Sequence, residues 1–256
     1  MLKLTEAEIE SYILKVHLGI ITPSKLPVNV YEAIVEHLTA GIIEGFGGDV
    51  MDFDLNSKQA FAMRLYKQNT QIFSAAKTYQ QVVSMTDALF DENNQIVPFS
   101  KFKKTGFDIY EKYNVNWLQA EYQTAILQSE GARQWLDIEA EKEFLPYLQY
   151  QTSGDDRVRE AHRVRDNITR PVDDVFWNTN HPPIGWRCRC DVIQLMKEEA
   201  KVTPKEKLPS DKAIPEIFRN NPGKDNYIFS PKHPYFKVDE RHEKLKNNNF
   251  NLPFTP

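Results

Sequence analysis

The chain has 256 residues, 41% hydrophobic and 27% charged, which is ordinary globular usage and excludes a chain disordered as a whole. Its formal net charge of −4 excludes a protein whose entire surface grips nucleic acid, because phosphate neutralisation needs clustered Lys and Arg. Two cysteines, Cys188 and Cys190, exclude the disulfide framework of a small secreted domain.

In chain order, the opening Met1 to Glu6 shows no apolar leader, and no later run is long enough to span a bilayer, so the chain is expected to be soluble where it is made. Thr5-Glu6-Ala7-Glu8 has the form of a capping box, and Ile9, Tyr12, Ile13 and Val16 follow at helical spacing. Asn29 is the expected cap of a second helix carrying Ile34, Val35, Leu38 and Ile42, stopped near Gly45, Gly47 and Gly48. Residues 57–90 predict one or two helices with Phe61, Leu65, Ile72, Ala76, Tyr79 and Val83 as apolar positions, broken at Asp91-Glu92-Asn93-Asn94. The longest helical stretch is 114–143. Trp117, Ala120, Leu127, Trp135 and Ile138 lie near one stripe, with Glu121, Glu130, Arg133 and Glu139 on other faces, and Pro146 ends it.

After Pro146, residues 147–152 alternate as a short strand does, and Ser153-Gly154-Asp155 makes a turn. Beyond residue 200 the chain is rich in Pro, Lys and Asn and lacks periodicity, so it is expected to run as a loop-rich tail over a partner or over the core. The pattern predicts an α+β chain: a helical region over 1–145, a compact mixed core over 146–200 and an irregular tail over 201–256. No internal repeat is present. Gly45-Phe46-Gly47-Gly48 lacks the Lys-Ser/Thr of a phosphate loop. His17 and His37 are expected as surface or packed residues, and Lys101-Phe102-Lys103-Lys104 as a solvated helix approach.

Chemistry-bearing residues concentrate in Asp156-Arg157-Val158-Arg159-Glu160-Ala161-His162, in Pro171-Val172-Asp173-Asp174-Val175-Phe176-Trp177, and in His181-Pro182-Pro183-Ile184-Gly185-Trp186-Arg187-Cys188-Arg189-Cys190. This resembles the phage Mu F-like, or head-morphogenesis, family, in which an Arg-x-x-His element, an acidic-aromatic loop, a Pro-Pro-x-Gly-Trp turn and a Cys-Arg-Cys follow in that order. The resemblance covers about residues 110–195. It departs at Asn167, where members often carry glycine; Asn tolerates positive φ.

The resemblance implies a minor head protein of a tailed phage or prophage, assembled in the bacterial cytoplasm and carried in the virion. Its implied partners are portal or capsid proteins, with DNA contact only faintly suggested. The rival reading is a toxin-like or DNA-processing enzyme, such as a nuclease, using His162, Arg159 and Asp174. No catalytic set is demonstrable, and Asp173 or Asp174 is expected to cap a turn or pair with an arginine.

On helical spacing Arg159 and His162 share a face, and in a strand Cys188 and Cys190 would share one face while Arg187 and Arg189 share the other. Two thiols and an imidazole then converge. The default reading is core thiols beside a hydrogen-bonded His. The alternative is zinc on His162, Cys188, Cys190 and His181, against which stands the short Cys-x-Cys spacing. Phe176, Trp177 and Trp186 are expected to form a small aromatic core, with Pro182-Pro183 stiffening the approach and Gly185 permitting the turn.

Overall fold

A computed structural model describes residues 2 and 4–254; Met1, Lys3, Thr255 and Pro256 of the stretches read above lie outside the described residues. The long helices are α1 (Glu6–His17), α2 (Val28–Phe46), α3 (Lys58–Asp87), α4 (Phe99–Glu111) and α5 (Leu118–Glu141). A π-helical stretch, Lys112–Trp117, lies between α4 and α5. There follow β1 (Tyr147–Gln151), α6 (Glu160–Arg163), β2 (Thr169–Pro171), α7 (Trp177–Asn180), β3 (Asp191–Leu195), α8 (Pro222–Asp225) and α9 (Glu243–Asn247). The chain is therefore α+β, helical in its N-terminal region, with one small antiparallel sheet. No helix among the described residues is long and apolar enough to cross a membrane.

Contacts divide the chain into two units, each discontinuous in sequence. The first takes Met1–Ala40, Lys67–Tyr122 and His233–Pro256; the second takes Gly41–Tyr66 and Gln123–Lys232.

In the first unit, α1 starts as its sequence dictates. Glu8 N–H donates to Thr5 Oγ1 at 3.3 Å, and Thr5 N–H donates to the Glu8 carboxylate at 2.8 Å, which satisfies two donors that a helix start leaves free. The buried face of α1 is Tyr12, Ile13 and Val16. Helix α4 approaches so closely that a Cβ on Gly106 would lie 2.5 Å from Ile13. His17 is packed: its Nε2 donates to the Val97 carbonyl at 2.8 Å, and its ring lies against Phe99 and Phe102. His37 stacks on Tyr122.

Three expectations shift here. Helix α2 starts at Val28, one residue before Asn29, because Tyr31 N–H already donates to the Pro27 carbonyl. Residues 57–90 hold a single helix, and Phe61 and Ile72 are exposed while Tyr66, Phe73, Ala76 and Tyr79 are buried. Its middle is buried on more than one face, since Lys77, Thr78 and Gln81 are also buried, so one apolar stripe does not mark what faces the core. Helical structure also begins upstream of 114, at Phe99, and Glu121 is not on a solvent face. Lys77 Nζ lies 2.8 Å from the Glu121 carboxylate and donates to the Tyr113 carbonyl at 2.6 Å, while the Tyr235 hydroxyl donates to Glu121 at 2.7 Å. A buried carboxylate is tolerated because it is paired and hydrogen-bonded.

In the second unit, α2 ends at Phe46 and the chain turns through Gly47 (φ 80°) and Gly48 (φ 156°). Gly45 serves a different purpose: a Cβ there would stand 2.1 Å from the Ile126 carbonyl oxygen, so its lack of a side chain lets α2 meet α5. The sheet has the order β2-β1-β3, with β1 antiparallel to both neighbours. Leu148 and Tyr150 alternate inward from β1 and join Trp135, Ile138, Ile168, Val172, Phe176, Trp177, Ile184 and Val192 in one core. The irregular segment after residue 200 adds Ile214 and Phe218 to that core; further along, Tyr235, Phe250 and Leu252 are buried within the first unit. Burial of these side chains orders a segment that has no periodicity of its own.

Candidate functional site

The site is assembled on the small sheet of the second unit. Leaving β1, the chain turns at Gly154 (φ 72°) and reaches the single-turn helix α6, with Arg159 at its N-cap position. His162 is buried at its end. The chain returns to β2 through Asn167, whose φ of 60° is the left-handed conformation that Asn accommodates better than most residues.

Cys188 and Cys190 lie in the turn immediately before β3, which begins at Asp191, and not within the strand as the alternation suggested. The left-handed residue of that turn is Arg187 (φ 52°) and not Gly185. Gly185 lies under the Arg159 side chain, where an added Cβ would stand 3.2 Å from the guanidinium. Arg187 donates to the Gln123 side-chain oxygen at 3.1 Å.

His162 Nδ1 lies 3.3 Å from Cys190 Sγ and 3.5 Å from Cys188 Sγ. The three donor atoms all lie within 4.8 Å of one another, and both thiols are free. Cys188 is buried and Cys190 half-buried. Hydrogen bonding from the Cys190 thiol, and then from His162, holds the Cys188 thiol below its ordinary range; the same sharing, with burial, pushes Cys190 up. Tyr150 lies beside Cys190, its hydroxyl making no hydrogen bond to oxygen or nitrogen among the described residues.

Both sulfurs border a cleft of about 380 Å³ whose polar walls are Glu130, Gln134, Arg189 and Asp191. Burial, with Glu44 and Asp191 nearby, raises the Glu130 carboxyl. Arg189 makes a two-pronged contact with Asp155, at 2.7 and 2.8 Å, and Arg157 joins it at 3.2 Å. Arg189 holds the Asp155 carboxyl well below the usual carboxylate range.

The remaining motif residues lie elsewhere. His181 is wholly buried, edge-on to Trp135 with centroids 5.1 Å apart; among the described residues neither ring nitrogen has a well-formed hydrogen bond, and it does not join the His162, Cys188 and Cys190 group. Asp174 pairs with Arg170, and it accepts from Phe176 N–H at 2.9 Å, so it both caps a turn and meets an arginine. Asp173 meets Lys142 at 2.8 Å. His162 and the two aspartates thus have different partners. Phe176 and Trp177 pack edge to face, Trp186 packs on Phe218, and the Pro182 carbonyl sits where a Cβ on Gly131 would come within 2.7 Å. The aromatic core is wider than three rings.

Three contributors escape a motif reading. Tyr150 carries the signal of strand alternation and a place in the Tyr150-Gln151-Thr152 approach that resembles the family, and Asp155 only its place in a turn. Arg165, wholly buried, binds the Ala161 and Ser210 carbonyls and Asn180; its place three residues after His162 is the sole cue.

The family model described as "Phage Mu protein F like protein" matches residues 32–193. The putative capsid assembly protein F of Escherichia phage Mu is 37% identical to the chain over 71 residues, a stretch that covers 28% of this chain and 16% of that protein. No solved structure matches the chain.

Proposed function

Because the chain belongs to the Phage Mu protein F like family, we propose that it acts in phage head morphogenesis, as a minor head component placed near the portal. The observation that carries this reading is that the ordered motif, from Arg159 and His162 through Asp174, Phe176 and Trp177 to Cys188 and Cys190, lies in one unit with a continuous core inside the matched region. A rigid, irregular knot of this kind suits a docking element, because its buried aromatics and paired polar groups fix the shape of loops that no regular structure would hold. Portal and capsid proteins are the proposed partners, and the virion the proposed location.

The nuclease reading would use His162, Arg159 and Asp174 together. Asp174 is instead engaged by Arg170 and by the Phe176 amide, which favours assembly over catalysis.

The test is deletion of the gene from the phage or prophage that encodes it, with complementation and proteomics of purified particles. The expected outcome is the protein in particles at far fewer copies than the major capsid protein, and a fall in infectious particles with genome replication unchanged. Unchanged titre, together with absence from particles, overturns the proposal. DNA cleavage by the purified chain that His162→Ala abolishes would turn the reading to the enzyme.

A further inference from the structure

We propose that His162, Cys188 and Cys190 form a three-ligand zinc site whose fourth position opens to the cleft between Glu130, Arg189 and Asp191. The inference is independent of any role in head assembly, since it rests on donor chemistry and distance alone.

Two sulfurs and one imidazole nitrogen are the donor set that zinc prefers. In a tetrahedral zinc site an imidazole nitrogen and a sulfur stand roughly 3.6 Å apart, given ordinary Zn–N and Zn–S lengths. The observed separations are 3.3 and 3.5 Å, and all three donor atoms lie within 4.8 Å of one another, so the imidazole already stands at ligand spacing from both sulfurs. The ligands come from α6 and from the turn before β3, segments apart in sequence that the sheet brings together. A metal bridging them would clasp both turns, and such binding energy is folding energy.

The site is closed on one side and open on the other. Cys188 and His162 are buried, and Tyr150 backs the pair from β1. Cys190 is half-buried, and both sulfurs border the cleft. Three protein ligands with one accessible position would leave the ion able to take water or a donor from a docking partner. His181, the fourth ligand weighed from sequence, is packed on Trp135 outside the group and takes no part.

The test uses the full chain, purified under reductant, loaded with zinc and desalted, with metal measured by mass spectrometry. The expected content is about one zinc per chain, falling below about a tenth of that in Cys190→Ser and in Cys188→Ser/Cys190→Ser. Cobalt(II) in place of zinc should give thiolate-to-metal charge-transfer absorption in the parent protein and none in the double variant. The parent cobalt spectrum decides the matter even where a variant fails to fold. Folded, reduced parent protein that retains less than about a tenth of an ion after loading overturns the proposal. So does zinc retained by a folded double variant, or a Cys188–Cys190 disulfide that persists in reductant.

Discussion

Arg165 donates from Nε to the side-chain oxygen of Asn180 at 2.6 Å, at a place where neither side chain reaches solvent. The same guanidinium binds the Ser210 carbonyl at 3.1 Å and the Ala161 carbonyl. It ties the turn after α6 to α7 and to the segment that follows β3. Replacing Arg165 with Leu leaves these acceptors unpaired, at a cost of about 3 kcal/mol. Arg165→Lys should recover less than half, because an ammonium lacks the planar fork. Urea unfolding of both variants measures this, and a loss under about 1 kcal/mol for Arg165→Leu would contradict it.

The buried pair of Lys77 and Glu121 should behave as a unit. Lys77→Met alone leaves the Glu121 carboxylate buried without its cation, and should destabilise the protein by about 3 to 5 kcal/mol. Combining it with Glu121→Leu should cost less than either single change, since both charges are gone. A double-mutant cycle reads the coupling, and strict additivity would show that the two charges act separately.

Acid should destabilise the protein above the range in which its carboxylates titrate. Burial holds both His181 and His233 down to about 4, against about 6.5 in an unfolded chain. The unfolded state therefore binds more protons in this interval. The stability from keeping each ring neutral is fully present above about pH 6.5 and is lost as pH falls towards 4, by up to about 3 kcal/mol per residue. His181→Phe, which keeps an aromatic edge on Trp135, should remove roughly half of this pH dependence. Urea midpoints at several pH values between these limits test it; an unaltered slope in His181→Phe would refute the assignment to that residue.

Gly45→Ala should destabilise although it sits in a helix. Alanine gains about 1 kcal/mol in helix propensity, but its Cβ would stand 2.1 Å from the Ile126 carbonyl oxygen, and the helices must separate. A net loss of about 1 to 3 kcal/mol is expected. Gly131→Ala, with its Cβ 2.7 Å from the Pro182 carbonyl oxygen, should lose in the same direction. Thermal melts of the two variants decide the sign, and a raised midpoint in Gly45→Ala would show that α2 and α5 can give way.

By itself the sequence determined the local structures whose signals lie within a few residues. Thr5 and Glu8 cap α1, Gly47 and Gly48 end the backbone run of α2, Leu148 and Tyr150 alternate inward, and Asn167 takes positive φ. The ordered motif between Arg157 and Cys190 also carried the family. Tertiary structure alone decided which side chains share an environment. Phe61 and Ile72 turned outward while Lys77 and Glu121 turned inward, because a helix packed on several faces has no single apolar stripe. The convergence of His162 with both thiols was legible in the spacing, but His181, weighed with them, met Trp135 instead. Periodicity assigns a residue to a face; only packing assigns that face a neighbour, and a donor atom's chemistry depends on the neighbour.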